Sequence, residues 1–172
     1  MSADEELQEH AEHASNPFDK KVAASMAVIA AALAVVSVLG HIYTTEELLE
    51  QQKASDMWSE YQGKSIRRYE STFVADIMAA VKSPEAAQKY KANIDKYDRE
   101  GREIQEKARE HEGESKLSGE RALRLHFGEV FLEIAIVFAS LAILSKREYL
   151  WWISLASGAV GAAVALTTAL LR

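Results

Sequence analysis

The chain has no cysteine among its 172 residues. Disulfide bonds, thiol chemistry and cysteine-ligated metal sites are therefore excluded. Only two prolines occur, Pro17 and Pro84, so few positions interrupt a helix. No segment carries a sustained run of Lys and Arg, and the formal net charge is −6. Nucleic-acid binding, which needs a basic surface, is therefore not expected.

Catalytic motifs are also missing. The sequence contains no phosphate-binding loop, no nucleophile paired with a base and no metal-ligand spacing. His10 and His13 lie three residues apart in an acidic tail, but two histidines on a tail without a core more often bind no metal. We therefore expect a protein that is not an enzyme, with no catalytic, cofactor-binding or metal residues and no cofactor.

The chain does contain three apolar runs that are sharply separated from its charges. The first, residues 22–45, holds twenty-four residues without Asp, Glu, Lys or Arg. A bilayer core needs about 20 such residues, so this run favours a transmembrane helix over a buried helix of a soluble protein. We expect an acidic mobile tail at 1–19, a transmembrane helix at 20–45, a charged helical hairpin at 46–125, and transmembrane helices at 126–145 and 149–171.

The hairpin is expected to turn at 83–84, where Ser83 can cap a helix that begins with Pro84. Apolar or small residues recur every three or four positions in both arms, which is typical of an antiparallel coiled coil. The predicted seam positions are Trp58, Ile66, Tyr69, Phe73, Ile77 and Ala80 in the first arm, and Ala87, Tyr90, Ile94, Tyr97, Gly101, Ile104, Ala108, His111, Ser115, Ser118, Ala122 and Leu125 in the second. The fold class is therefore all-α, with this coiled-coil hairpin between the first and second of three transmembrane helices.

Pairing residues whose numbers sum to about 167 gives a register for the hairpin. It places Phe73 opposite Ile94, Ile77 opposite Tyr90, Ala80 opposite Ala87, and Ile66 opposite Gly101. Small seam residues and glycines between Gly101 and Ser118 predict a kink or break in the second arm.

Two helices alone do not bury so long a seam. We therefore expect a homo-oligomer, most simply a dimer that forms a four-helix bundle, with a higher ring as an option and a monomeric stalk as the alternative. Trp58, Tyr61, Arg67 and Arg68 form a candidate interaction surface for an unknown protein partner. The arginine pair has a second interpretation as part of a solvated face.

Ionisable residues inside the apolar runs are the only candidates for chemistry. The register places His41 level with His126, and places Glu129 and Glu133 one and two turns deeper. Such a group can bind a cation or relay protons. The alternative is that His41, His126 and Glu129 reach the headgroup region, with only Glu133 buried and locking the helix packing.

Three stretches carry a resemblance to a known family: EHAEHASNPFDKKVA, AVVSVLGH, and QQKASDMWSEYQGKSIRR. In its EHAEHA–PFDKKVA and KSIRR motifs the chain resembles an uncharacterised bacterial family of small membrane proteins, known only as a domain of unknown function. The resemblance implies a bacterial membrane protein with a helical insert. It implies no activity, so no functional residue is carried over.

Two basic pairs, Lys20-Lys21 and Lys146-Arg147, flank the apolar runs on one side. The resemblance implies a bacterial inner membrane, and the positive-inside rule then predicts a cytoplasmic amino terminus and a periplasmic hairpin. The expected function is a non-enzymatic, membrane-anchored coiled-coil scaffold that self-assembles and presents a binding surface. A small cation- or proton-transport module is the first alternative, and a periplasmic four-helix sensor-like module is the second.

Overall fold

The computed structural model describes residues 16–171, and these residues form three long helices without a strand. Helix α1 is Pro17–Ala80, α2 is Pro84–Ser145 and α3 is Glu148–Leu166, which continues into a 3-10 segment, Thr167–Leu170. The predicted all-α class with three long helices is confirmed. Most of the expected tail, with His10 and His13, lies outside the described residues.

Asn16 and Pro17 define the start of α1. The side-chain oxygen of Asn16 accepts a 2.9 Å hydrogen bond from the backbone N–H of Phe18. Pro17 follows at the first helical position, where its missing N–H leaves no bond unmade. Asn16 therefore caps α1.

The connection between α1 and α2 is only three residues long. Lys82 has a φ of 57°, in the left-handed region, and the N–H of Ser83 donates to the carbonyl of Met78 at 2.9 Å. This bond satisfies a carbonyl that the end of α1 leaves unpaired. The second connection, between α2 and α3, also contains a lysine with positive φ, Lys146.

Helix α2 runs without interruption from Pro84 to Ser145, so the predicted break between Gly101 and Ser118 is wrong. The glycines in this part of α2 differ in their surroundings, and a Cβ at Gly113 would meet nothing within 4 Å. A Cβ at Gly101 would lie 3.5 Å from the Tyr61 ring, and one at Gly119 would lie 2.7 Å from a carboxylate oxygen of Glu47. Between these glycines the sequence is rich in Glu, Lys and Arg, which are good helix formers.

The contacts divide the chain into two compact units. The first, which we call the apolar unit, is Met1–Tyr43 with Glu120–Arg172; the second, the hairpin unit, is Thr44–Gly119. The apolar unit has one core cluster around Ile29, Val36 and Leu132, and another around Val22 and Ala139.

Small residues bring α3 against α2 within the apolar unit. Ser154, Gly158 and Gly161 are buried, and the hydroxyl of Ser154 donates to the carbonyl of Ala135 at 2.7 Å. Close backbone approach at small residues is typical of packed membrane helices. By length and composition, three helices are able to cross a membrane: Pro17–Ala80, Pro84–Ser145 and Glu148–Leu170.

The second-arm seam lies where the sequence predicts. All twelve of its positions on α2, from Ala87 to Leu125, are buried or half-buried. The burial of this face is confirmed, whereas a coiled-coil arrangement stays a prediction.

The first-arm seam is wrong from Ile66 onward, whereas its first position, Trp58, is half-buried. Ile66, Tyr69, Phe73, Ile77 and Ala80 are exposed, so they are not the buried face of α1. The packed face of α1 carries small side chains instead, at Ala54, Ser71 and Ala75. Ser71 and Val74 lie with Tyr90 and Tyr97 around one depression, and Phe73 borders it as well.

Candidate functional site

A polar cluster lies in the apolar unit. The rings of His41 and His126 are 6.2 Å apart between centroids and meet edge to face. His126 Nδ1 lies 3.0 Å from a carboxylate oxygen of Glu129, which also accepts a hydrogen bond from the hydroxyl of Ser37. Two imidazoles and a carboxylate in one cluster are able to exchange protons or hold a cation. Three of the four predicted polar residues are thus brought together.

Gly40 leaves the space that the His126 ring occupies beside α1. A Cβ at Gly40 would lie 3.2 Å from His126 Cε1, which is tighter than ordinary van der Waals contact. A side chain at this position would push the ring away from α1, so the glycine contributes to the geometry of the polar cluster.

Glu133 is not part of this cluster. Its side chain is exposed, and within residues 16–171 it makes no hydrogen bond or ion pair. The interpretation in which Glu133 is the buried carboxyl is therefore wrong. Glu133 follows Leu132, which is 1% exposed, and one residue of an α-helix turns the side chain by about 100° away from that buried face.

Two arginines of α2 bond to carbonyls at the end of the chain's last helical segment. Arg121 donates to the carbonyl of Leu171 at 2.9 Å, and Arg124 donates to that of Thr167 at 3.3 Å. The Arg121 guanidinium also lies 5.5 Å from the centre of the Tyr43 ring. Positive charge at a helix carboxyl end is favourable, so these contacts tie α3 to α2.

Trp58 and Tyr61, two members of the predicted interaction surface, contact α2 within the hairpin unit. Trp58 Nε1 donates a 2.7 Å hydrogen bond to a carboxylate oxygen of Glu112, and the Trp58 and Tyr61 rings meet edge to face at 5.6 Å. Both residues are half-buried, and Tyr61 packs on Gly101. Tyr61 is therefore partly covered by α2 and is not a fully exposed member of the predicted surface.

The arginine pair is divided between two environments. Arg68 donates to Asp98 at 2.9 Å and lies 5.0 Å from the centre of the Tyr69 ring, whereas Arg67 is exposed. The hydrogen bond to Asp98 raises the pKa of Arg68 above its ordinary value. Because Arg68 already has a carboxylate partner, the two residues do not form a joint anion site.

An apolar stripe runs along the exposed side of α1 in the hairpin unit. Its members Ile66, Tyr69, Phe73 and Ile77 are 58%, 63%, 67% and 39% exposed. At about 100° per residue, Phe73 lies nearly opposite Ser71, which is 6% exposed. The sequence spacing identifies these four residues, but not the side of the hairpin that they occupy.

A second cluster of side chains that are able to ligate a metal was not predicted from the sequence. Donor atoms of Glu50, His111 and Glu114 all lie within 4.8 Å of one another. His111 and Glu114 have a visible three-residue spacing, but Glu50 is 61 residues before His111. Only the fold of the hairpin brings the three together.

Comparison with known proteins identifies the chain at the level of a family. No curated protein and no solved structure matches it. One family model matches residues 18–171, which is most of the chain. The match covers both the polar cluster of the apolar unit and the exposed stripe of the hairpin unit. The chain therefore belongs to the family described as domain of unknown function (DUF4337).

Proposed function

We propose that the protein is a non-enzymatic scaffold that is anchored in a membrane by its three apolar segments and self-associates through the exposed stripe of α1. The occupant of the stripe is a second copy of the chain. The observation that carries this proposal is the exposure of Ile66, Tyr69, Phe73 and Ile77 on the side of α1 opposite its packed face. Apolar side chains at three- and four-residue spacings are the pattern that pairs one helix with another.

Membrane anchoring favours this partner over a soluble one. Helix α1 contains both the first apolar segment and the stripe. Two copies inserted in the same orientation present their stripes parallel and in register. Confinement to a membrane also raises the effective concentration of each copy for the other, so a modest apolar contact is sufficient for assembly.

The proposal also includes the place and direction of insertion. We propose a bacterial inner membrane, and the Lys20-Lys21 and Lys146-Arg147 pairs support a cytoplasmic amino terminus with a periplasmic hairpin. The salt links on the hairpin surface, such as Arg68 with Asp98, are compatible with an aqueous environment for this unit.

The molecular mass of the full chain in detergent tests the scaffold proposal. We expect the wild type to elute as a dimer or a higher oligomer in light scattering. The double variant Tyr69→Ser with Phe73→Ser should be monomeric, because it removes two aromatic side chains from the stripe. The matched control is Leu49→Ser, which removes an apolar side chain of α1 that is 57% exposed but lies outside the stripe.

Two results would reject self-association through this face. One is a monomeric wild type in several detergents and in nanodiscs. The other is an unchanged oligomer in the stripe variant, which would place the contact elsewhere.

A transport module is the second candidate, and the polar cluster supports it. His41, His126 and Glu129 meet within one apolar unit, together with the Ser37 hydroxyl. Ionisable groups that converge between apolar helices are typical of proton and cation pathways. In this function Glu129, and not Glu133, exchanges the proton or cation.

Flux through proteoliposomes tests the second candidate. Glu129→Gln should abolish any proton or cation flux of the wild type, while Glu133→Gln, outside the cluster, should preserve it. Equal flux in the wild type, in Glu129→Gln and in empty liposomes would eliminate the transport function.

A further inference from the structure

We infer that Glu50, His111 and Glu114 form a binding site for a divalent transition-metal ion of the Zn²⁺ class. This site lies in the hairpin unit, apart from the exposed stripe and from the polar cluster. It is a property that the scaffold function does not require, because self-association through the stripe needs no metal.

The distances between the donor atoms fit one ion. His111 Nδ1 lies 2.6 Å from Glu50 Oε2 and 3.6 Å from Glu114 Oε2. Ligands at about 2.1 Å from Zn²⁺ are separated by roughly 3.0 to 3.5 Å from one another. The observed separations bracket this range, so rotations of the side chains are enough to place an ion between the three donors.

Two helices supply the donors in a fixed arrangement. His111 and Glu114 are three residues apart on α2, which puts them on one face, and Glu50 projects from α1. Next to them the hydroxyl of Ser115 donates to the carbonyl of Glu47 at 3.0 Å, which joins the two helices at this level. The helix pairing therefore holds the donors together before any ion binds.

Lys53 orients the Glu50 carboxylate without blocking it. The lysine donates to Glu50 Oε1 at 2.6 Å, whereas the oxygen that faces His111 is Oε2. Such outer contacts of a ligating carboxylate commonly fix its orientation in metal sites.

The chemistry of the donor set selects the class of ion. One imidazole with two carboxylates suits Zn²⁺ and its first-row neighbours, whereas Mg²⁺ and Ca²⁺ favour all-oxygen sites. The Glu114 side chain is 56% exposed, so water completes the coordination sphere on the outer side. A bound ion would link α1 to α2 and stabilise the hairpin.

Calorimetric titration of the full chain with ZnCl₂ tests the site. The chain is purified in nanodiscs without a histidine tag, in a His10→Ala, His13→Ala background that removes the histidines of the tail. We expect one equivalent of Zn²⁺ to bind in a manner that depends on His111 and Glu114, and no heat with MgCl₂. His111→Ala and Glu114→Gln should each weaken Zn²⁺ binding by at least about tenfold.

The matched control is Glu110→Gln, because Glu110 is an exposed carboxylate next to His111 that is not among the donors. It should bind Zn²⁺ like the wild type, and circular dichroism verifies the folding of each variant. If His111→Ala fails to fold, Zn²⁺ binding by the Glu114→Gln variant, at an exposed position, is sufficient to test the site.

A second readout is the visible spectrum of bound Co²⁺, which reports imidazole and carboxylate ligation and should be lost in Glu114→Gln. Zn²⁺ should also raise the unfolding midpoint of the wild type, but not that of Glu114→Gln. The inference is overturned by Zn²⁺ binding that is unchanged in Glu114→Gln, by equal loss in Glu110→Gln, or by no binding in the background chain.

Discussion

A Cβ atom added at Gly161 would lie 2.7 Å from the backbone carbonyl oxygen of Gly128, a distance that real Cβ atoms do not adopt. Helices α3 and α2 therefore approach each other more closely here than any side chain allows. The reciprocal distance, from a Cβ at Gly128 to the carbonyl oxygen of Gly161, is 2.9 Å. This contact sets the separation of the two helices, and it depends on glycine on both sides.

The first prediction follows from this contact. Gly161→Ala should destabilise the apolar unit by about 1–3 kcal/mol, because the backbones have to move apart. The control Gly113→Ala, which would meet nothing within 4 Å, should instead stabilise α2 by about 0.5–1 kcal/mol, since alanine favours the helix. Unfolding of both variants in detergent, followed by circular dichroism, measures the difference. Equal effects of the two substitutions would contradict the close approach.

The second prediction concerns a lysine in the connection between α1 and α2. Lys82 has a φ of 57°, which is unfavourable for any residue with a Cβ. Lys82→Gly should therefore raise the free energy of unfolding by about 1 kcal/mol. The control is Lys89→Gly in the first turns of α2, where the same substitution should lower the free energy of unfolding by about 1 kcal/mol. A loss in both variants would show that position 82 does not adopt the left-handed conformation.

The third prediction is a pH dependence that originates in one ion pair across the hairpin. Lys64 Nζ lies 2.6 Å from a carboxylate oxygen of Glu100, and this bond holds the pKa of Glu100 below the ordinary 4.5. A carboxyl with a lowered pKa in the folded state stabilises the fold at pH values above 4.5, and this contribution is lost as the pH falls through the lowered pKa.

Thermal unfolding between pH 7 and pH 3 measures this effect. The wild type should lose more stability over this interval than Lys64→Met, which lacks the partner of Glu100. Lys89→Met, at an exposed position, serves as the control and should follow the wild type. Identical pH profiles for Lys64→Met and the wild type would show that the pair contributes nothing to folding.

Much of the architecture could be predicted from the sequence because it depends on local signals. Asn16 caps α1, Pro84 begins α2, and long apolar runs mark the three helices. The seam of α2 was also predictable, since its spacing continues without a shift from Ala87 to Leu125.

The packed side of α1 could not be predicted in the same way. A sum of residue numbers gives the level at which two helices meet, but it does not give the rotation of each helix about its axis. The helical spacing predicts Phe73 at the interface, whereas the buried side chains of α1 at this level are Ser71 and Ala75.

The positions of the candidate site residues could also be predicted only in part from the sequence. His41 and His126 lie together because their levels match and because Gly40 leaves room for the ring. Glu133 lies outside because a turn of about 100° from Leu132 removes it from the packed face. The contact between Glu50 and His111 could not be predicted from sequence spacing, because the two residues meet only when α1 packs against α2.

Disulfide cross-linking in native membranes tests whether two copies of the chain meet along the stripe of α1. Because the wild type has no cysteine, Phe73→Cys and the control Thr72→Cys each introduce a single thiol. A disulfide needs Cα atoms about 4.4–6.8 Å apart, which only facing positions satisfy. We expect Phe73→Cys to form a covalent dimer on mild oxidation, whereas Thr72→Cys, about 100° around the helix, should stay monomeric. Equal cross-linking of the two variants, or none with Phe73→Cys, would contradict this expectation.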